Sequence, residues 1–169
     1  MIKVLFVCLG NICRSPLAEG IFNMRVEEQS LAHLISSDSV GTSDYHIGEP
    51  ADRRTIQVAQ QNGIAINHKA RQFCVEDFAH YDYIIAMDRN NYGHIRVLGQ
   101  ESANENYNLF LMREFDNLRD EEDVPDPYWS GKDGSSRRGT ARDGFQEVFE
   151  ILDRSIRNFL VYLKEEHKL

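Results

Sequence analysis

Positive charge, paired cysteines and long apolar runs are all scarce in this chain, and each shortage excludes something. Lys and Arg number 19 against 27 Asp and Glu, which leaves a net charge of −8. Coating nucleic acid or anionic lipid takes a basic surface, so neither nucleic acid nor membrane is expected as a partner. The same balance leaves room for one small cationic pocket. With 3 cysteines there is no disulfide framework of the kind small secreted domains carry, and a reducing, cytoplasmic setting is expected. The apolar run after Met1 is about five residues long, short of the roughly 7–15 of a signal-peptide core. No stretch reaches the ~18 apolar residues of a membrane span. His, Cys and acidic residues do not fall at ligand spacing along the chain, so no metal and no other cofactor is expected. One domain over residues 1–169, without linker or internal repeat, is the expected organisation.

What is present is an alternation of strand-like and helix-like segments, which predicts an α/β fold with a mainly parallel sheet. Lys3–Val7 reads as a buried strand and Ser15-Pro16 as a helix start, Pro being favoured at the first helical position. Leu17, Ile21 and Met24 continue at helical spacing to the neighbourhood of Gln29. Leu34–Val40 is a second strand diluted by serines, and Gly41–Pro50 is a loop. Asp52 caps a helix running to Asn62-Gly63, a glycine that suits a helix C-terminus. Tyr83–Met87 and Tyr107–Met112 are further strands, with a helix over Arg89–Leu98 between them. Arg113–Asp126 is acidic and irregular, and Ser130–Gly144 is a mobile loop rich in Gly, Ser and Arg. The last helix carries one apolar stripe (Phe145, Val148, Phe149, Leu152, Ile156, Phe159, Leu160, Leu163), with Asp143 as its cap.

Chemistry concentrates in Cys8-Leu-Gly-Asn-Ile-Cys-Arg14-Ser15, directly after the first strand. Ligands of a parallel sheet bind at the C-terminal ends of its strands. A helix N-terminus placed there favours an anion through its unpaired N–H groups and its dipole. A loop of this length wraps a tetrahedral dianion with Cys8 at its centre, and a cysteine in that position is favoured as the nucleophilic thiolate. Arg14 presents a planar fork that holds two phosphoryl oxygens, and the Ser15 hydroxyl is placed to donate to Cys8. The leaving group still needs an acid. Asp126, in Asp126-Pro-Tyr-Trp129, is the candidate: Pro127 keeps the residue before it extended, and Tyr128 and Trp129 wall a slot for a planar substrate. In that role Asp126 protonates a leaving phenolate, then acts as base on the water that hydrolyses a phosphocysteine. Asp116, Asp120 and Asp123 are its rivals in the acidic stretch.

The string Val7-Cys-Leu-Gly-Asn-Ile-Cys-Arg-Ser-Pro16 near the start, joined to the late Asp126-Pro-Tyr128, resembles the low-molecular-weight protein tyrosine phosphatases. Asp38-Ser39, Ser43-Asp44-Tyr45, His68-Lys-Ala-Arg-Gln72 and Ala86-Met-Asp88 extend the likeness over nearly the whole chain. The resemblance implies a flavodoxin-like, doubly wound sheet of four parallel strands flanked by helices in three α/β/α layers. It implies hydrolysis of phosphotyrosine in a protein or peptide, and of small aryl phosphates, with inorganic phosphate as product and no metal. Leu9, Gly10, Asn11, Ile12, Cys13 and Ser15 would then form the phosphate-binding loop. Asn11, suited to a left-handed backbone, would hold that loop in shape through Ser39 and His68. Tyr45, Leu9, Ile12, Tyr128 and Trp129 would surround the substrate ring. Cys13 would be the partner of Cys8 in a reversible disulfide, while Cys74 has no partner pattern.

Three other functions compete. Arsenate reductases of the thiol-relay type share the loop but need further cysteines on a mobile segment, and they lack the Asp-Pro-Tyr; here only Cys74 lies in the middle of the chain. Protein-arginine phosphatases typically carry threonine where this chain has Ile12, whose apolar side chain suits an aryl ring. A phosphotyrosine-binding module without catalysis needs none of Cys8, Ser15 and Asp126. The chain departs from the family between Trp129 and Phe145, in a longer loop that holds Lys132, Arg137, Arg138 and Arg142. That loop is either an insertion with no role of its own or a basic flap that steers acid-flanked phosphopeptides to the pocket. Asp38-Ser-Val-Gly-Thr42 stands where many bacterial relatives have Ser-Ala-Gly-Thr, which leaves the alignment of Ser39 open.

Overall fold

Val4, Leu5, Phe6 and Val7 are consecutive apolar residues, too many for a strand with one wet face. The structure, a computed structural model, describes residues 1–102, 104, 106–129 and 144–169, with Trp129 by its backbone alone. In it β1 (Ile2–Cys8) lies inside a four-stranded, wholly parallel sheet of order β2-β1-β3-β4, with β2 Ile35–Gly41, β3 Tyr83–Ala86 and β4 Asn108–Leu111. Side chains alternate across a strand, so the apolar run serves two cores. Val4 and Phe6 pack with Leu17, Ile21 and Phe22 of α1 (Arg14–Glu28) and with Leu152, Ile156 and Phe159 of α5 (Gly144–His167). Leu5 and Val7 pack with Phe73, with Phe78 of α3 (Asp77–His80) and with Ile95 of α4 (Arg89–Gly99). The result is the three-layer α/β/α arrangement of a doubly wound fold. On the first face the Phe22 ring links Phe6 at 5.4 Å to Phe159 at 5.8 Å.

Asp52 caps α2 (Arg53–Gln61) by accepting from the Arg54 N–H at 2.8 Å, and Gly63 past its end takes φ 76°. Three elements differ from expectation. Pro16 is the third residue of α1 rather than the first; every first-turn N–H lacks an intrahelical acceptor, so a residue without one fits any of those positions. The four-residue α3 is too short to show a period. The acidic stretch is not irregular throughout: Met112–Phe115 forms a 3-10 turn, and the Asp116 side chain, shut off from solvent, accepts from Arg113 Nε at 3.2 Å and Arg154 Nε at 2.6 Å. That knot ties the segment leading to Asp126 onto α5. The expected cap Asp143, and the loop with Lys132, Arg137, Arg138 and Arg142, lie outside the described residues. Among the described residues no helix is long and apolar enough to cross a membrane.

The chain runs from β1 through α1 to β2 on one side, while β3 flanks β1 on the other. The order reverses between β1 and β3, and the crevice of such a sheet opens beyond the carboxyl ends of those two strands. Cys8 ends β1 there, and Asp88 follows the end of β3.

Candidate active site

Hydrogen bonds shape the loop after Cys8, because its residues belong to no strand. The Thr42 N–H donates to the Cys8 carbonyl at 2.8 Å, and the Ser43 N–H and hydroxyl donate to the Leu9 carbonyl at 3.0 and 2.8 Å. Gly41 permits this approach, since a Cβ on it would stand 2.6 Å from the Leu9 carbonyl oxygen. Asn11 takes φ 56°, the left-handed region where Asn is one of the few tolerated non-glycine residues. Its Nδ2 donates to Ser15 Oγ at 2.8 Å and Ser39 Oγ at 3.1 Å. Its Oδ1 accepts from the Arg71 N–H at 3.0 Å and pairs with His68 Nε2 at 2.7 Å. A backbone N–H only donates, which identifies the oxygen end of the amide, and His68 Nε2 must then carry a proton. The structure thus brings Ser39 and His68 onto Asn11.

Glu19 stands behind them, and the sequence did not single it out. Ser39 Oγ donates to Glu19 Oε2 at 2.7 Å, and His68 Nδ1 lies 3.4 Å from the same oxygen. Burial pushes the Glu19 carboxyl up to about 7, against the Ser39 hydrogen bond. Burial likewise lowers His68. The available signal was spacing: Glu19 follows Ser15 by one helical turn and shares its face of α1. Asp38, from β2, joins Glu19 and His68 with ligand-type atoms within 4.8 Å of one another, a cluster that the sequence hides because its members come from separate segments. Asp38 Oδ2 is already taken up by Arg71 Nη2 at 3.1 Å and the Tyr81 hydroxyl at 3.0 Å.

Cys8 Sγ is buried, 3.0 Å from Ser15 Oγ, and accepts from the Asn11 N–H at 3.3 Å. Ser15 has one hydroxyl proton and two acceptors for it, Cys8 and the Val40 carbonyl at 3.2 Å. A thiolate draws that proton because hydrogen bonds to ionised groups are the stronger ones. Arg14, the first residue of α1, is 3% exposed. Its Nη1 donates to Asp88 Oδ2 at 2.7 Å and to the Val124 carbonyl at 3.0 Å, and its Nη2 lies 3.6 Å from Asp126 Oδ2. Burial works against the guanidinium charge, but Cys8, Asp126 and Asp88 outweigh it and hold Arg14 above its ordinary range. Asp88 therefore aims Arg14, and its other oxygen caps α4 through the Asn91 N–H at 2.7 Å. Cys13 is the N-cap of α1, and burial, with Asp52 adding, pushes its thiol far up.

One pocket is lined by Cys8, Leu9, Gly10, Ile12, Cys13, Arg14, Tyr45, His46, Asp126 and Tyr128. Asp126 precedes a 3-10 turn, Pro127–Trp129, and its Oδ1 accepts from the Tyr128 N–H at 3.0 Å. The rival carboxylates sit in ion pairs outside this lining: Asp116 and Asp120 on Arg113, Asp123 on Arg89. Tyr45 is exposed at the rim and Tyr128 is half-buried; the Trp129 side chain lies outside the described residues. His46 was not anticipated. Its Nδ1 meets Glu49 Oε2 at 2.7 Å and its ring faces Tyr128 at 6.0 Å, and a lone histidine in a loop carries no sequence signal of such a place.

The family model described as low molecular weight phosphotyrosine protein phosphatase matches residues 3–169. A putative low molecular weight protein-tyrosine-phosphatase of Synechocystis is 39% identical over 165 residues, covering 97% of this chain and 98% of that protein. Among solved structures, YfkJ from Bacillus subtilis superposes with a TM-score of 0.85 at 35% identity, over 98% of this chain and 96% of that one. The drosophila arginine phosphatase DARP superposes with a TM-score of 0.86 at 29% identity, over 96% of this chain and 98% of that one. With a match that runs from the first strand to the end of the last helix, this chain belongs to the low molecular weight phosphotyrosine protein phosphatase family.

Proposed function

We propose that residues 1–169 form one catalytic domain that hydrolyses phosphotyrosine in proteins or peptides, and small aryl phosphates, through a phosphocysteine on Cys8. The observation that carries this is the convergence of Cys8, Arg14 and Asp126 on one pocket. The phosphate dianion enters the loop of Leu9, Gly10, Asn11, Ile12 and Cys13, and Arg14 binds its oxygens in the orientation that Asp88 sets. Cys8 Sγ forms the bond to phosphorus as the phosphorus–oxygen bond to the ring breaks. Asp126 gives its proton to the departing phenolate. Oδ1 is engaged by the Tyr128 N–H and Oδ2 lies 3.6 Å from Arg14 Nη2; once the phosphate oxygens take up that guanidinium, Oδ2 carries the proton. In the second half Asp126 takes a proton from water, which attacks phosphorus and expels Cys8, with the Ser15 hydroxyl holding the thiolate in both halves. Asn11, Ser39 and His68 hold the loop. Leu9, Ile12, Tyr45, Tyr128 and Trp129 receive the ring. All three cysteines are unpaired, which suits a reducing, cytoplasmic setting, and Cys13 serves as the disulfide partner when Cys8 is oxidised.

The test is phosphate release from a phosphotyrosine peptide without metal. Cys8→Ser abolishes it, and Asp126→Asn slows it by about 10²–10⁴, the usual contribution of a positioned acid. A reduced, folded wild type that releases nothing overturns the assignment. The solved arginine phosphatase of the same fold makes a phosphoarginine peptide the competing substrate, and faster release from that peptide would transfer the assignment to it. Ile12 favours the ring, because an apolar side chain offers a guanidinium no hydrogen-bond acceptor.

A further inference from the structure

The turn that carries Asp126 has little to hold it from within. Pro127 has no N–H to contribute, and three residues of 3-10 helix are weak alone. Tyr128 supplies support on both sides of its backbone. The Tyr128 N–H donates to Asp126 Oδ1 at 3.0 Å, and the Tyr128 carbonyl accepts from Arg54 Nη2 at 3.3 Å. The Arg54 guanidinium also lies 5.8 Å from the centre of the Tyr128 ring and 4.6 Å from that of Phe145 at the start of α5, distances at which a cation is drawn to an aromatic ring. Arg54 is itself anchored. Asp52 Oδ1 accepts from its N–H at 2.8 Å and its Nε at 3.1 Å, and Asp52 Oδ2 accepts from its Nη2 at 3.0 Å. The Asp52 N–H in turn donates to the Ile12 carbonyl at 2.8 Å, inside the phosphate loop. A continuous line of contacts therefore joins that loop to the acid, and α2 supplies its middle.

We infer that Arg54 is a positioning residue for the reaction: acting through Tyr128 it orients the Asp126 carboxyl, and through Asp52 it keeps the acid in register with the phosphate loop. The inference rests on Asp126 being the general acid. Arg54 does not line the pocket, and no proton passes through it. The side chain has to grip a carboxylate and a carbonyl while lying against two rings. A planar guanidinium meets all three demands, and the point charge of lysine does not. Holding the Tyr128 carbonyl and ring fixes the Tyr128 backbone, and with it the place of the N–H that occupies Asp126 Oδ1.

The experiment reads kcat/KM across aryl phosphates, from p-nitrophenyl phosphate to phenyl phosphate, because an acid matters most when the leaving group is basic. Arg54→Gln is expected to lower phenyl phosphate turnover about tenfold and p-nitrophenyl phosphate turnover less than about threefold, a part of the about 10²–10⁴ an acid contributes. Arg54→Lys falls between Arg54→Gln and the wild type. In an Asp126→Asn background, Arg54→Gln adds no further dependence on the leaving group. Equal losses on both substrates, no loss on either, or full multiplication of the two effects in the double variant would overturn the inference. If Asp126→Asn alone fails to steepen the dependence, Asp126 is not the acid and the inference falls with that reading. Thermal melting monitors folding, and Arg54→Lys carries the comparison if Arg54→Gln does not fold.

Discussion

Replacing Asn11 by alanine removes a fully buried side chain that makes four hydrogen bonds. One of those partners, the Arg71 N–H, becomes a donor without an acceptor, and the His68 Nε2–H keeps only the longer contact with Ser39 Oγ at 3.5 Å. A stranded buried donor costs about 1–3 kcal/mol. Alanine must also adopt φ 56°, and the left-handed conformation costs a residue with a Cβ roughly 1–2 kcal/mol. The expected loss is roughly 2–5 kcal/mol, a large part of the about 5–15 kcal/mol by which a domain is stable. Asn11→Gly separates the two effects. Glycine relieves the backbone but leaves the same donor stranded, so it should be about 1–2 kcal/mol more stable than Asn11→Ala and still well below wild type. Urea unfolding followed by circular dichroism, in reducing buffer, measures both differences. An alanine variant that loses under about 1 kcal/mol would show that the amide network contributes little. A glycine variant no better than alanine would show that the left-handed backbone at residue 11 carries no strain.

Two further outcomes follow from the same region. Burial raises the Glu19 carboxyl from 4.5 to about 7, so the folded state holds that proton more tightly than the unfolded chain. Its stabilising contribution is complete below pH 4.5 and is lost as pH rises through about 7, an effect on the order of 3 kcal/mol at about 1.4 kcal/mol per pH unit. Glu19→Gln should flatten that part of the stability profile, and a wild-type-minus-variant difference that does not change with pH would contradict it. Gly41→Ala places a Cβ 2.6 Å from the Leu9 carbonyl and 3.1 Å from the Asn11 nitrogen, both backbone atoms that yield only if the phosphate loop moves. Turnover should drop by about 10²-fold, the effect of an ångström of misplacement, and near-normal kcat/KM would mean the loop tolerates the shift.

Most of the fold is legible in local patterns. Four adjacent apolar residues in β1 already imply a strand buried on both faces, and the stripe of α5 implies the layer that covers one of them. Asp52 and Gly63 mark the ends of α2. The short α3 and the Asp116 knot are not legible, the first because four residues hold no period. The second depends on Arg154, which reaches Asp116 from 38 residues away.

The site divides in the same way. Cys8, Arg14 and Ser15 lie on one short loop between a strand and a helix, where chain connectivity alone places thiol, guanidinium and hydroxyl together, so sequence by itself determined that the residues proposed as nucleophile and anion clamp meet. Pro127 and Tyr128 mark Asp126 for the same local reason. Tertiary structure decided what supports them: Asp88 on Arg14 across 74 residues, Glu19 on Ser39 across 20, Arg54 on the Tyr128 carbonyl across 74, and His46 at the rim. A hydrogen bond tolerates only a few tenths of an ångström in distance. Between residues far apart in the chain, the packing of β1, β2, β3, α1 and α2 sets that distance, and residue order does not.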